Sequence, residues 1–387
     1  MSLPGAPRAA GEEERRALRA ALAAHGFDEA GCAARLGLPA IARVAQRAQL
    51  WRLVGTRAQF RPRCGPEADA LDLLLALLLY GETVEAQALG ARVGGAALDA
   101  LRATGLVLDT DGGLRGAVTL FPCQHLLVAT DRLDSVRTGN PVMPLFPESY
   151  DLGRTAARAR IGRALDVCTG SGIHALLAAA HAGEAVGVDV SPRALSFARF
   201  NAWLNGIANA AFVEGDVYAA LPAGARYGLI TANPPYNPEL DSAAGDDYHS
   251  GGESGEEIFQ RLVEGVPERL EEEGIAQIIT LLIHREGDPL EARVRRWLAT
   301  HGDGRYDVLQ LSKPVDYRPL VLKGGPLPPA DQALHESWKR QRITRFEFGL
   351  LNLRRTPAGR APAYVQGPSH ESAEAHDVRA LFASLLG

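Results

Sequence analysis

Near residue 160 the hydrophobic period of the chain changes, and nothing else in it narrows the possible folds so far. Beyond that point short apolar runs alternate with segments whose apolar residues recur every three or four positions. A parallel sheet produces this alternation, because successive parallel strands need a long crossover between them, usually a helix. The pattern predicts strands at Ala164–Val167, Ala185–Asp189, Ala211–Glu214, Tyr227–Thr231, Ile275–Leu282, Tyr306–Leu311 and Arg345–Leu353. Helices are expected at Gly172–Ala182, Pro192–Asn205, Glu256–Glu272 and Asp288–His301. Five strands separated by helices and two closely coupled ones at the end make a seven-stranded, mostly parallel α/β sheet with an antiparallel last strand.

The first hundred residues read differently. From Glu12 to Gly105 the spacing is helical, as in Leu18 and Leu22 or Leu71, Leu74, Leu75 and Leu78, with turns at Gly26, Gly37, Gly81 and Gly94. VEAQALGARVGGAALDALRATG reads as helix, glycine turn, helix, and two strand-like runs follow around the hairpin signal Asp111-Gly112-Gly113. That order resembles a winged helix; a helical cap shaping the mouth of the second domain is the competing reading. We therefore expect a mainly helical N-terminal domain over 1–130, a Pro/Gly-rich connector over 131–162, and the α/β domain over 163–387.

Composition excludes several classes. The 387 residues carry a net charge of −5, which rules out a globally basic nucleic-acid surface but not a local one. Cys32, Cys64, Cys123 and Cys168 lie far apart with no CxxC pair, so neither a zinc site nor a disulfide framework is expected, and a cytoplasmic location fits. The longest apolar stretch, Leu73–Leu79, is far short of the ~20 residues a membrane helix needs. The N-terminus has no apolar signal region.

The chemistry is concentrated at strand ends. The first strand runs into Asp166-Val-Cys-Thr-Gly-Ser-Gly172 and then directly into a helix, a turn whose glycines let the backbone approach a polar ligand. GSGIHA also satisfies a dinucleotide fingerprint, with Asp189 placed to grip a ribose diol, so an NAD-dependent oxidoreductase stays open on these residues alone. Two features point elsewhere. Asp166 can accept hydrogen bonds from an amino acid's ammonium, which NAD lacks, and the fourth strand ends in Asn233-Pro234-Pro235-Tyr236. DxxTGSG, the acidic end of the second strand, Glu214-Gly215-Asp216 and NPPY, in that order, resemble the class I S-adenosylmethionine-dependent N-methyltransferases over roughly 140–355.

The resemblance implies a Rossmann-like domain with S-adenosylmethionine as cofactor. It places Asp166, Thr169, Gly170, Ser171 and Gly172 near the amino-acid moiety, Asp189 on the ribose, and Asp216 with Val217 beside the adenine; Asn233 also borders the cofactor. It makes the Asn233 side-chain oxygen and the Pro234 carbonyl acceptors for the two N–H bonds of a planar nitrogen. Pro234 and Pro235 restrict the backbone and hold those acceptors in place, and Tyr236 stacks on the substrate. Asp216 as a turn cap, Phe146 and Tyr150 as packing residues, His174 on a helix face and Cys168 as a buried filler are the plainer readings of those side chains.

The acceptor is less constrained. Asn237–Gly255 reads as a lid, and GGESGEEIFQRLV within and beyond it resembles the glutamine methyltransferases that modify peptide-chain release factors. The N-terminal domain and PVMPLFP look closer to methyltransferases acting on bases of ribosomal or transfer RNA. Charge is divided: Glu214–Glu273 holds 14 acidic and 3 basic residues, whereas Lys313–Arg360 holds 10 basic and 4 acidic, a stripe that could follow phosphates. The first expectation is an exocyclic base amine of RNA or DNA. The alternatives are a glutamine amide of a translation-related protein, a small molecule, or a non-catalytic nucleic-acid-binding regulator.

Overall fold

The computed structural model describes residues 5–44, 67–132, 141–238, 251–315, 329–367, 369–371 and 378–386. The chain packs as two units. One comprises Met1–Tyr150, Gly170–Leu177 and Ser191–Phe212; the other comprises Asp151–Thr169, Ala178–Val190 and Val213–Gly387.

The first unit begins with α1 (Glu12–Ala24) and α2 (Glu29–Arg35), where the Asp28 side chain accepts from the Gly31 amide at 2.8 Å and caps α2. α3 (Ala70–Leu74) starts from a reciprocal capping box between Asp69 and Asp72 and runs into a π-helical turn, Leu75–Leu79, whose five residues are all buried. Then follow β1 (Thr83–Val84), α4 (Ala86–Val93), α5 (Gly95–Ala103), β2 (Val107–Thr110) and β3 (Gly113–Gly116). The three strands pair in the order β1-β3-β2, with β2 and β3 antiparallel across the turn at Asp111-Gly112. AVTLFPCQHLLVAT, read as one strand-like run, is instead a second hairpin of β4 (Thr119–Cys123) and β5 (Leu126–Thr130). Gln124 makes the turn at φ +54°, a left-handed conformation that the run's β-branched and aromatic residues concealed.

The remaining elements are α6 (Pro147–Thr155), β6 (Ile161–Val167), α7 (Ile173–Ala179), β7 (Ala182–Asp189), α8 (Pro192–Asn205), β8 (Ala210–Glu214), β9 (Tyr227–Ala232) and α9 (Glu257–Arg269). After these come β10 (Leu270–Arg285), α10 (Leu290–Leu298), β11 (Tyr306–Val315), α11 (Pro329–Arg340), β12 (Ile343–Arg355), β13 (Tyr364–Gln366) and α12 (Val378–Leu386). The strands form one α/β sheet in the order β13-β11-β12-β10-β9-β6-β7-β8. β10, β9, β6 and β7 are parallel in sequence, and β12 is antiparallel to both β10 and β11.

Two expectations need correction. Among the described residues the sheet has eight strands rather than seven, because Tyr364–Gln366 adds a parallel edge to β11. The helix expected to reach Glu272 ends at Arg269, since Leu270 already pairs with Tyr227. A register shift before Ile275 absorbs the acidic run Glu271–Glu273 at the entrance to the strand.

Each unit has its own apolar core. In the first, Leu18, Leu74, Phe121 and Val128 cluster with Leu176, Phe197 and Leu204. Asn201, fully buried on α8, ties this core's backbone together. Its carboxamide accepts from the Ala129 amide at 2.8 Å and donates to the carbonyls of Ala129 at 3.0 Å and Ser171 at 2.9 Å. In the second unit Val167, Val188, Ile230, Phe259, Val263, Leu282 and Val294 fill the space between the sheet and α9 and α10.

Asn201→Ala should destabilise the first unit, because it leaves three buried backbone groups without their partner. At about 1–3 kcal/mol for each unsatisfied group, the loss should reach at least ~3 kcal/mol, read as a lower midpoint in urea unfolding.

Candidate active site

The carboxyl ends of parallel strands lie along one sheet edge, where ligands of open α/β sheets bind. In the second unit this edge collects Asp166 near the end of β6 and Thr169 after it, Asp189 at the end of β7, Asp216 and Val217 after β8, and Asn233–Tyr236 after β9. Backbone hydrogen bonds hold these ends together. The Thr169 amide donates to Val188 O and the Gly215 amide to Asp189 O, each at 3.0 Å.

Asp166 is only 1% exposed. A buried carboxylate needs hydrogen-bond donors, and two hydroxyls supply them. Thr231 Oγ1 donates to Oδ1 at 2.8 Å and Thr169 Oγ1 to Oδ2 at 2.5 Å. Thr231 stands opposite Asp166 in the parallel ladder of β6 and β9, so the strand that leads to Asn233 also orients Asp166. Sequence reading missed Thr231. The available signal was its place two residues before Asn233 on the same face of the strand.

Two non-glycine residues at this edge occupy the left-handed region, Cys168 at φ +57° and Val217 at φ +51°. For a β-branched valine this is a genuine outlier, and such strain concentrates where a ligand is held. The Cys168 thiol is pushed up by burial and by the charges of Asp189 and Asp166, which leaves it unreactive. Asp216 is half-exposed and pairs with Arg261 of α9 at 2.7 Å.

Gly170, Ser171 and Gly172 belong to the other unit. Gly170 is at φ +53°, with nothing within 4 Å of where a Cβ would stand; at Gly172 a Cβ would come within 2.9 Å of the Ala198 side chain. Gly172 also lies at φ +85°, so glycine meets both the conformation and the crowding there. His174 is buried with neither ring nitrogen hydrogen-bonded, and burial drives its pKa down to about 3, so it stays neutral and is no proton shuttle at ordinary pH. Phe146 and Tyr150 pack against the first unit's core, with the Tyr150 hydroxyl donating to Pro122 O at 3.0 Å.

Asn233 is half-buried, and its side chain has no hydrogen-bond partner among the described residues. Tyr236 packs against Phe348 of β12, ring centroids 5.2 Å apart and tilted by 59°. Phe348 in turn meets the buried His370 ring at 5.9 Å. Tyr236, expected to stack on the substrate, is thereby backed by a strand expected only to close the sheet. Of the lid, residues 239–250 lie outside the described residues.

Residues 152–310 match the family described as the methyltransferase small domain. The chain is 46% identical over 86 residues to the release factor glutamine methyltransferase of Deinococcus radiodurans, covering 22% of this chain and 30% of that protein. It is 35% identical over 144 residues to the ribosomal protein uL3 glutamine methyltransferase of Bordetella pertussis, covering 34% and 47%. The chain thus spans less than two thirds of the length of these curated relatives. A methyltransferase from Pyrococcus furiosus aligns at 18% identity with a TM-score of 0.33, over 54% of this chain and 80% of that structure.

The donor set at this edge of the second unit fits S-adenosylmethionine. A buried, hydroxyl-oriented carboxylate at Asp166 suits an ammonium, and the carboxylate of Asp189 suits a diol. Thr231→Val removes one of the two hydroxyls at Asp166 while keeping the side chain's shape. Titration calorimetry should show S-adenosylhomocysteine binding about tenfold more weakly, the equivalent of one ~1.4 kcal/mol hydrogen bond to a charged group.

Proposed function

We propose that the chain is an S-adenosylmethionine-dependent N-methyltransferase whose acceptor is the side-chain amide of a glutamine in a translation-related protein. The observation that carries the chemistry is Asn233, whose carboxamide has no partner among the described residues and which follows the strand whose Thr231 orients Asp166. An amide nitrogen is a weak nucleophile because its lone pair is delocalised into the carbonyl. Two acceptors aimed at its N–H bonds draw the hydrogens into fixed directions and help the lone pair localise. The Asn233 oxygen and the Pro234 carbonyl are those acceptors, and Pro234 and Pro235 restrict the backbone that presents them.

Tyr236, backed by Phe348, offers a flat face to the planar group. The cofactor supplies an electrophilic methyl on a sulfonium when bound. The contribution of these residues is alignment, which can be worth ~7 to 11 kcal/mol when reacting groups are well oriented. No strong general base is required, because the nitrogen becomes acidic as it alkylates and water can take the proton.

Two observations favour the glutamine over the nucleic-acid base expected first. Relatives matching this domain are named for glutamine methylation of release factors and of ribosomal protein uL3. The basic stripe over Lys313–Arg360 is also neutralised from within: each of its eight described lysines and arginines lies within 4.0 Å of a carboxylate. Asp307, fully buried, takes both Arg354 and Arg360, and Asp303 and Glu272 take Arg355. Such pairs add little stability when exposed, but they cancel the field a phosphate backbone would feel.

Mass spectrometry of tRNA, rRNA and tryptic peptides from a deletion strain and its parent should show one glutamine that loses its methyl group, with nucleoside profiles unchanged. Asn233→Ala should bind S-adenosylhomocysteine with near-normal affinity and lose about 100-fold or more in turnover. A lost base methylation would transfer the assignment to RNA, and full turnover by the variant would remove Asn233 from the chemistry.

A further inference from the structure

The stretch that follows the acceptor motif is built around a buried ion pair that the proposed reaction does not use. Residue 256 precedes α9, and its side chain is 4% exposed. It faces two arginines: Arg293 of α10, itself 3% exposed, at 2.6 Å, and Arg285 at the end of β10 at 2.7 Å. Arg293 also donates to the Ile283 carbonyl and to Asp288 O, so its own position is fixed by the backbone around it. Taking these charges out of water is costly, and such a pair is a poor choice if stability is all that is needed.

What the pair holds is a short stem. The Gly251 amide donates to Asn237 O at 2.9 Å, and the Glu257 amide donates to Gly251 O at 3.1 Å. The Glu257 carboxylate accepts from the Ser254 amide at 3.0 Å and from its hydroxyl at 3.2 Å, and that hydroxyl accepts from the Glu256 amide. Across the stem, Glu253 accepts from Ser337 of α11 at 2.6 Å. The stem lies directly on the acceptor motif's backbone. A Cβ at Gly255, which sits at φ +88°, would stand 2.6 Å from Tyr236 O, and one at Gly251 would stand 2.9 Å from Tyr236 Cα. Backbone is thus packed on backbone, with no side chain between to absorb a shift.

We infer that Glu256 is a positioning residue: anchored by Arg293 and Arg285, it holds the Gly251–Glu257 stem against Tyr236 and so fixes Asn233 and Pro234 for methyl transfer. The inference rests on the proposed role of those two residues. It also explains how the acceptor motif stays in register: the Gly251–Glu257 stem packed on it is held on three sides.

The test compares wild type, Glu256→Gln, Glu256→Asp and Arg285→Met. Methyl transfer from labelled S-adenosylmethionine to purified release factor and to uL3 gives kcat and KM, and hydrogen exchange by mass spectrometry follows peptides spanning 229–238, 251–259 and 275–283. Glu256→Gln should lower kcat about tenfold or more while changing acceptor KM and S-adenosylhomocysteine affinity less than threefold. Exchange should rise in the first two peptides and stay unchanged in the third. Glu256→Asp should recover part of the turnover. Arg285→Met, which leaves the buried pair intact, should show a smaller loss of the same kind and serves if Glu256→Gln does not fold.

Unaltered kcat, or exchange confined to 251–259, would overturn the inference, as would a loss of cofactor affinity matching the loss of turnover. If wild type methylates neither protein, the glutamine reading fails by itself, and the exchange pattern still decides whether Glu256 holds the motif.

Discussion

Everything proposed for this domain depends on one hydrogen bond between neighbouring parallel strands, from the Thr231 hydroxyl to Asp166. It does two things with one contact. It satisfies a carboxylate that is almost completely removed from water, and it makes the geometry of the cofactor end depend on the strand that carries the acceptor motif. Thr169 closes the other side of Asp166 from within the glycine turn. The two hydroxyls hold the Asp166 carboxylate in place for the proposed contact with an ammonium.

The second buried carboxylate of consequence, Glu256, has the opposite arrangement. Its two arginines leave it no charge to offer a ligand, which suits an anchor and not a binding group. The two carboxylates are divided between tasks by their partners: hydroxyls where a cation must be received, guanidinium groups where backbone must be held. The same rule accounts for the stripe of arginines near the C-terminus. Paired with Asp307, Asp303, Glu272 and Glu347, they stitch the antiparallel strands and the edge strand together.

Much of this was legible in the sequence because it is local. The alternation of periods marked strands and helices to within a few residues, and spacing singled out DxxTGSG and NPPY as candidates, since a turn that brings backbone to a ligand needs glycine or proline at set positions. What was not legible depends on residues distant in the chain. Thr231 is unremarkable until β6 and β9 pair; Phe348 is one apolar residue in a strand until it meets Tyr236. The charge count over 313–360 misled for the same reason, because the carboxylates at 272, 303, 307 and 371 that lower the stripe's field mostly lie outside that window or were read without their partners. The hairpin at Gln124 was hidden because a side chain that tolerates a left-handed turn gives no signal as strong as glycine.

The central claim is that the edge formed by Asp166, Asp189 and Asn233 receives a sulfonium amino-acid nucleoside. Calorimetric titration of the purified chain with S-adenosylhomocysteine, and separately with NAD, tests it most directly. Saturable one-to-one binding of S-adenosylhomocysteine, weakened in Asp166→Ala and undisturbed by NAD, is the predicted result. Binding of NAD in its place, or binding of S-adenosylhomocysteine that ignores the loss of Asp166, would contradict it.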